Sequence, residues 1–296
     1  MRNKGKNIKF YTDMKKNVFI ATLLLGFALT ANTGCADSKT TSKKNGLEAL
    51  DNLSELSELS ELAETDWSES DNNSDEKGEK QPTAKKTFAL KGFNKIEAGG
   101  VVKVHFTQAS DYEVKAVGTP KLMSAMTAYV EDNTLNITLK KNVNTNGGNE
   151  RVDFYVKAPD LTFVDMGGAC SFTAGSIKTE NFGYDLSGAV KCRIAKLKCK
   201  KADLEASGAV NIELIAEADE LKMDNSGACK TNLKFKGGTL DIENSGAGNI
   251  NAEVDCKVLK SDNSGASKVS YSGTADQTKI ENSGVAKTNT KLLNNL

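Results

Sequence analysis

A Ser-Gly-Ala-X tetrapeptide, or a close variant of it, returns seven times at nearly constant spacing in the second half of the chain. Its shared glycines are Gly168, Gly188, Gly208, Gly227, Gly246, Gly265 and Gly284, so the successive steps are 20, 20, 19, 19, 19 and 19 residues. A fixed period in this range indicates stacked repeats, in which each repeat buries its apolar face against its neighbours. The sequence therefore predicts a solenoid.

Aligning the repeats on the glycine gives columns that alternate between apolar and polar residues, as in β-strands. The column four residues before the glycine is mostly apolar: Val164, Tyr184, Leu204, Met223, Ile242, Ser261 and Ile280. No repeat keeps a helical apolar period, and the leucine-rich Leu-x-x-Leu-x-Leu pattern is missing. We therefore predict an all-β fold, a parallel β-helix (β-solenoid) with about 19–20 residues per coil. It should be right-handed, because parallel crossovers nearly always are.

The glycines and their small neighbours suit a tight structural turn at which successive coils lie about 4.8 Å apart. Two residues before the glycine, on the inward parity, four consecutive coils carry asparagine: Asn225, Asn244, Asn263 and Asn282. Stacked amides can hydrogen-bond to the coils above and below. We expect an asparagine ladder at this corner.

Three residues before each glycine, on the outward parity, stands one acidic residue per coil: Asp165, Asp185, Glu205, Asp224, Glu243, Asp262 and Glu281. Like charges at strand spacing repel, so compensation is expected from lysines. Candidates precede the column (Lys222, Lys260, Lys279) or follow the turn (Lys191, Lys230, Lys268, Lys287). The simpler interpretation is a solvated, lysine-balanced face. The alternative is a stripe that binds cations or another ligand through carboxylate oxygens.

Before the regular coils, residues 86–165 alternate like strands without the glycine motif, at 101–108, 112–117, 135–140 and 152–157. We interpret them as the first, less regular coils, which cover the open end of the stack. Residues 121–127 are a candidate short helix, and residues 141–149 a polar loop.

The amino terminus has basic residues up to Lys16, an apolar run over residues 18–31 and then a small-residue segment ending at Cys35. This order is typical of an export signal and resembles the lipobox signals of bacterial lipoproteins, in which the cysteine is acylated, for example with palmitate. The resemblance implies a membrane anchor on Cys35 and a cell-envelope location, in particular the outer membrane. Asn32 departs from the usual aliphatic residue, so an ordinary secretory signal is the alternative. Met14 is an alternative start to Met1.

Composition suggests three parts: a signal peptide (1–34), an acidic disordered tether (35–85) and the β-helix domain (86–296). Residues 36–80 contain 13 acidic and 5 basic residues, which indicates an extended segment. From Gln81 onward, 28 basic and 25 acidic residues remain. Neither part has the basic excess of a nucleic-acid-binding protein, so we expect no nucleic-acid partner.

The residues of common catalytic and metal sites are sparse. His105 is the only histidine and there is no Cys-x-x-Cys, so we expect no zinc site and no histidine-based catalysis. Apart from the possible cation stripe we expect no metal site, and we expect no cofactor. Five cysteines follow Cys35; Cys170 and Cys229 share a column but lie three coils, or about 14 Å, apart, which is beyond disulfide reach. We interpret all five as inert core residues. The protein is therefore predicted not to be an enzyme.

From about Phe88 to Thr290 the chain resembles the auto-transporter adhesin head GIN (DUF2807) domain family. The similarity lies in residues 93–96 (Phe-Asn-Lys-Ile) with Gly99-Gly100-Val101, in a strand that runs into Ala158-Pro159-Asp160-Leu161, and in the Ser-Gly-Ala corners. It implies an exported β-helical domain with an adhesin-like role.

Two classes of function stay open. The favoured one is an envelope-anchored lipoprotein that presents a non-catalytic binding or adhesin-like domain to a surface glycan or protein. The alternative is a cell-envelope scaffold or stress-sensing structural protein. A polysaccharide-active enzyme is disfavoured, because the regular coils have few aromatic sugar platforms and the acidic column would repel pectin-like substrates.

Overall fold

The computed structural model describes residues 83–140 and 151–295. The predicted signal peptide with Cys35, the predicted tether up to residue 82 and the predicted polar loop at 141–149 lie outside the described residues. No helix among the described residues is long and apolar enough to span a membrane.

The described residues form fourteen strands and one short helix. The elements are β1 (Ala84–Phe88), β2 (Lys95–Gly100), β3 (Val102–Gln108), β4 (Glu113–Gly118), α1 (Pro120–Ala125), β5 (Met126–Glu131), β6 (Thr134–Leu139), β7 (Val152–Ala158), β8 (Phe163–Ala174), β9 (Ile177–Lys178), β10 (Asn181–Asn225), β11 (Ala228–Asn244), β12 (Asn249–Asn263), β13 (Lys268–Asn282) and β14 (Lys287–Asn295). The strands predicted at 101–108, 112–117, 135–140 and 152–157 are confirmed as β3, β4, β6 and β7, and the predicted helix as α1.

The regular part of the chain is a stack of parallel coils in the order β8, β10, β11, β12, β13, β14. β10 covers more than two coils in 45 residues. From β11 to β13 the register advances by one repeat at each step; Leu240, for example, pairs with Leu259. The predicted β-solenoid is confirmed.

The core lies between two ladders of strands, one before and one after the glycine corner. Ser261 in the first ladder contacts Tyr271 in the second, with their hydroxyl oxygens 2.7 Å apart in the buried interior. The apolar column four residues before the glycine is buried from Val164 to Ile242. Side chains of the opposite parity therefore point outward on two different faces.

The amino-terminal strands do not stack in chain order. β2 lies between β6 and β8, and β3 lies between β7 and β8. The first coil in the sequence is thus the second in the stack. The outermost strands are antiparallel: β4 pairs with β7, β1 with β4 and β5 with β6. This pairing covers the end of the solenoid, where parallel strands would otherwise present open backbone.

Local sequence explains the turns of this cap. Asp132 and Asn133 both have positive φ (47° and 61°), which suits the two-residue turn that joins β5 to β6. α1 follows Thr119, whose hydroxyl accepts a hydrogen bond from the N–H of Leu122, and proline occupies its first position.

The glycine corners lie directly over one another, with backbone against backbone. A Cβ atom at Gly188 would lie 2.6 Å from the carbonyl oxygen of Gly168, and one at Gly246 would lie 2.2 Å from that of Gly227. The column also includes Gly100, whose register partner is Gly168 and which sequence reasoning missed. In β8 and β10 the strand continues through the glycine, whereas the later coils break at this point.

We predict that Gly246→Ala lowers the free energy of unfolding by about 2 kcal/mol or more, because its methyl group would overlap the backbone of the neighbouring coil. Gly246→Val should cost more. Gly175→Ala is the matched control, since a Cβ atom at that exposed glycine meets nothing within 4 Å. Urea unfolding of the three variants checks this, and equal stabilities for Gly246→Ala and Gly175→Ala would contradict the corner contact.

Candidate functional site

The acidic residues form one continuous column on the ladder before the corner, which we call the acidic face. Asp165 pairs in register with Asp185, Glu205 belongs to the coil that follows, and Asp224, Glu243, Asp262 and Glu281 are register partners in the next four coils. The column extends one coil further than predicted, because Glu97 of β2 is the register partner of Asp165. The sequence pattern missed Glu97 because its coil lacks the Ser-Gly-Ala motif.

The acidic column changes character along the stack. Near its amino-terminal end Asp165 is partly buried, and this burial, together with the charges of Asp185 and Glu97, raises the pKa of its carboxyl from 3.8 to about 7. At the other end Glu243, Asp262 and Glu281 are exposed. The repulsion predicted from the sequence is therefore concentrated at Asp165.

Lysines that stand two residues before an acidic position neutralise part of the negative charge of the acidic column. Lys222 lies 3.2 Å from Asp224 and 3.3 Å from Glu243, and Lys279 lies 2.9 Å from Glu281. Lys260 instead approaches Asp241, at 4.0 Å. Within residues 83–140 and 151–295, no group of three or more histidine, cysteine or acidic side chains is arranged to hold a metal ion.

The lysines that follow the turn lie on the other ladder. Lys268 and Lys287 are register partners in β13 and β14, and both are exposed. Among the described residues, Lys191, Lys268 and Lys287 make no ion pair with the acidic column or with any other carboxylate. The suggestion that these three lysines balance the acidic column is wrong. The acidic side chains, three residues before the corner, point outward on one side of the core, and the lysines, three residues after it, point outward on the opposite side.

The four predicted asparagines stack in register at the corner. Asn225, Asn244 and Asn263 are buried, whereas Asn282 is exposed. One amide-to-amide hydrogen bond joins them, from Asn263 Nδ2 to Asn282 Oδ1 at 3.2 Å. The amides of Asn225 and Asn244 make no hydrogen bond within the described residues. The column is thus a stack of three buried amides and one exposed amide, in which hydrogen bonding is concentrated at the last coils.

The five cysteines after Cys35 are all free thiols, and four of them are buried. Burial raises the pKa of the Cys192 thiol to about 12 and that of Cys170 to about 11. Cys199 is half-buried, and burial together with the charge of Asp219 raises its pKa to about 11. The thiolate, which is the reactive form, is therefore disfavoured at these three positions.

A polar group that sequence reasoning did not single out lies on the second ladder near the capped end. His105 Nε2 lies 2.9 Å from Asp153 Oδ1, and the imidazole stacks on the Tyr155 ring with centroids 4.9 Å apart. These residues belong to neighbouring strands, β3 and β7, which are 48 residues apart in sequence. No local motif could have brought them together in a sequence analysis.

Comparison with known proteins places this fold in a family. The family model described as "Putative auto-transporter adhesin, head GIN domain" (DUF2807) matches residues 92–234 and 219–295. The chain belongs to this family. No curated protein matches the sequence significantly.

Solved structures share the solenoid at low sequence identity. A putative adhesin from Bacteroides fragilis is 18% identical with a TM-score of 0.62, and the alignment covers 70% of this chain and 96% of that one. A putative lipid binding protein from Parabacteroides distasonis is 15% identical with a TM-score of 0.55, covering 71% and 98%. A putative adhesin from Parabacteroides merdae is 17% identical with a TM-score of 0.50, covering 72% and 97%. At these identities the comparison shows a shared fold.

We predict that Asp165 makes the protein less stable as the pH rises. Because its folded-state pKa (about 7) lies above its ordinary value of 3.8, the folded chain binds a proton more tightly than the unfolded chain. This contribution is complete below about pH 4 and is lost as the pH passes 7. We expect about 1–2 kcal/mol, less than the whole shift implies, because water still screens part of the carboxyl.

Urea unfolding at pH 5 and pH 8 tests this prediction. Asp165→Asn should reduce the difference in stability between the two pH values, whereas Asp262→Asn, at an exposed position of the same column, should leave it unchanged. The same pH dependence in the wild type and in Asp165→Asn would refute the assignment.

Proposed function

We propose that this chain is an envelope-anchored lipoprotein that presents its β-solenoid as a non-catalytic, adhesin-like binding domain. The observation that carries the proposal is the match to the head GIN family over residues 92–234 and 219–295. Two of the structural relatives described above are named as adhesins and the third as a lipid binding protein. These names support a binding role, and they point to the cell envelope or cell surface as its place of action.

The exposed side chains of the solenoid support this proposal. Equivalent residues repeat at the spacing of neighbouring strands, about 4.8 Å, so each outward column is a row of similar groups at equal intervals. Asn232 and Asn251 show the regularity, since the amide of Asn251 donates to that of Asn232 at 3.2 Å. Rigid rows of this kind suit an extended surface ligand, either a glycan or a protein.

The anchor is proposed from the sequence at the amino terminus. Residues 1–34 would act as a lipoprotein signal, Cys35 would carry the lipid, and residues 35–85 would form an acidic tether between the membrane and the domain at 86–296. The expected location is the outer membrane. The expected partners are that membrane and a surface glycan or protein, without nucleic acid.

We predict that Cys35→Ala abolishes incorporation of a labelled fatty acid and releases the protein from the membrane fraction, because acylation requires this thiol. Cys199→Ala is the matched control, since Cys199 is a thiol of the folded domain and should not be acylated. Labelling of Cys35→Ala at the wild-type level would exclude the anchor.

Protease treatment of intact cells tests the surface role. We expect cleavage in the tether and release of a β-solenoid fragment, because the folded coils protect their own backbone. A periplasmic protein serves as the control for leakage. Full protection of the chain in intact cells, followed by cleavage after lysis, would place the domain inside the envelope and exclude adhesion to external ligands.

One observation favours the scaffold alternative. β14 pairs with β13 on one side only among the described residues, and its Leu292 is 73% exposed. Open strand edges can pair with other chains, although lysines on an edge such as Lys287 and Lys291 oppose this. For a binding module we expect one sedimenting species from low to high concentration; growth of the particle with concentration would favour the scaffold.

A further inference from the structure

The second ladder carries a column of lysines three residues after the glycine corner, which we call the lysine column. Lys103 pairs with Ser171, which in turn pairs with Lys191. Asn211, 20 residues after Lys191, occupies the same position in the next coil. Arg193 and Glu213, which are also 20 residues apart, contact each other and show that this separation equals one coil here. The column then continues through Lys230, Asn249, Lys268 and Lys287.

Lysines and short polar residues alternate along most of this column. From Lys103 to Lys268 every second coil carries a lysine, and Ser171, Asn211 and Asn249 lie between them. Since neighbouring strands are about 4.8 Å apart, successive lysine positions are about 10 Å apart, and the column extends for about 34 Å. It is therefore a straight, periodic row of cations on a rigid sheet.

Three of these lysines differ from other lysines of the same ladder. Within the described residues, Lys191, Lys268 and Lys287 make no ion pair. By contrast, Lys198, Lys234 and Lys236 contact Glu217, Glu253 and Asp255 at 2.5, 2.7 and 2.8 Å. At these three positions the column presents positive charge that no carboxylate among the described residues neutralises.

In the last four coils the column beside it offers neutral hydrogen-bonding groups, whereas in the two coils before them it carries the ion pair of Arg193 and Glu213. Five residues after the corner stand Asn232, Asn251, Ser270 and Asn289 in successive coils, two positions along from lysines or asparagines of the lysine column. Asn232, Asn251 and Asn289 are exposed. Amide and hydroxyl groups can both donate to and accept from sugar hydroxyls.

We propose that the lysine column and this neighbouring column bind a linear anionic polysaccharide. Its carboxylate or sulfate groups would contact the lysines, and its hydroxyls would contact the asparagine and serine side chains. The inference rests on the proposed binding function and deepens it by naming the ligand chemistry. The acidic face does not oppose such a ligand, because the two ladders face away from each other across the core.

The surroundings favour a polysaccharide over other polyanions. Single-stranded nucleic acids bind to aromatic stacking platforms, and a membrane surface binds to faces that carry bulky apolar residues. Along the described part of the second ladder, the exposed large side chains are Tyr155 at the capped end, Ile215 in the middle and Leu292 in the last coil, so they form neither a continuous apolar face nor a row of aromatic rings. From Lys230 to Lys287, cations beside neutral amide and hydroxyl groups instead fit a chain with spaced charges and many hydroxyls.

The test measures binding of the purified full-length chain to polygalacturonate, which carries carboxylates, to dextran sulfate, and to neutral dextran. We expect binding to at least one of the two anionic polymers, weakening at high salt, and no binding to dextran. The triple variant Lys191→Gln/Lys268→Gln/Lys287→Gln should bind at least about tenfold more weakly. Which polymer binds distinguishes carboxylate from sulfate recognition.

The control is Lys198→Gln/Lys234→Gln/Lys236→Gln, which removes the same charge from paired, exposed lysines of the same ladder. Its affinity should stay within about twofold of the wild type. Equal losses in the two triple variants would show attraction by net charge alone and overturn the proposal. No binding to either anionic polymer, or tighter binding to single-stranded DNA or to phosphatidylglycerol vesicles, would also overturn it.

These outcomes are separable from the proposed function. If intact cells expose the domain but the lysine-column variant binds the polymers like the wild type, the site is wrong and the adhesin-like role stands. If the variant loses binding while the domain is protected in intact cells, the site stands and its ligand lies within the envelope.

Discussion

Close contact between the backbones of successive glycines is the constraint on which the rest of the solenoid depends. The backbone of Gly246 lies so close to that of Gly227 that no methyl group fits between them. Successive coils can therefore stack at this distance only when glycine lies over glycine. This contact fixes the register. A slip by one residue would exchange the inward and outward faces, placing Ile242 in water and Glu243 in the core.

A fixed register also separates the charges of the molecule. Residues three before the corner and residues three after it lie on opposite sides of the core, so the acidic column lies on one face and the lysine column on the other. The net charge of the chain is zero and conceals this separation. Lys222 and Lys279 neutralise part of the acidic face, whereas Asp165, which is partly buried, reduces its repulsion by holding a proton near neutral pH.

The periodic coils could be predicted from the sequence because each repeats the same local choice of residues. The amino-terminal cap could not be predicted to the same extent. Strands β3 and β7 could be recognised from their sequence. Their order in the stack could not, because it depends on pairings such as that of His105 with Tyr155, for which the sequence has no repeated motif. The asparagine column was also visible, yet its hydrogen bonds depend on Thr288, whose hydroxyl lies 2.6 Å from Asn282 Oδ1. The corresponding residues in the two preceding coils, Ile250 and Val269, cannot hydrogen-bond, and the hydroxyl of Thr231, in the coil of Asn225, makes no hydrogen bond among the described residues.

The two ends of the stack differ, and this difference bears on how the domain can act. Antiparallel strands close the amino-terminal end, whereas β14 has a strand partner on one side only among the described residues and carries Lys287 and Lys291. Edge lysines make pairing with another chain costly, because they would have to be desolvated or placed against like charge. The long faces carry no such obstacle, since their strands are already paired on both sides and only side chains meet the solvent. A ligand that binds to side chains on these faces therefore leaves the backbone hydrogen bonds between the strands unchanged. A rigid, repetitive binding domain requires this property.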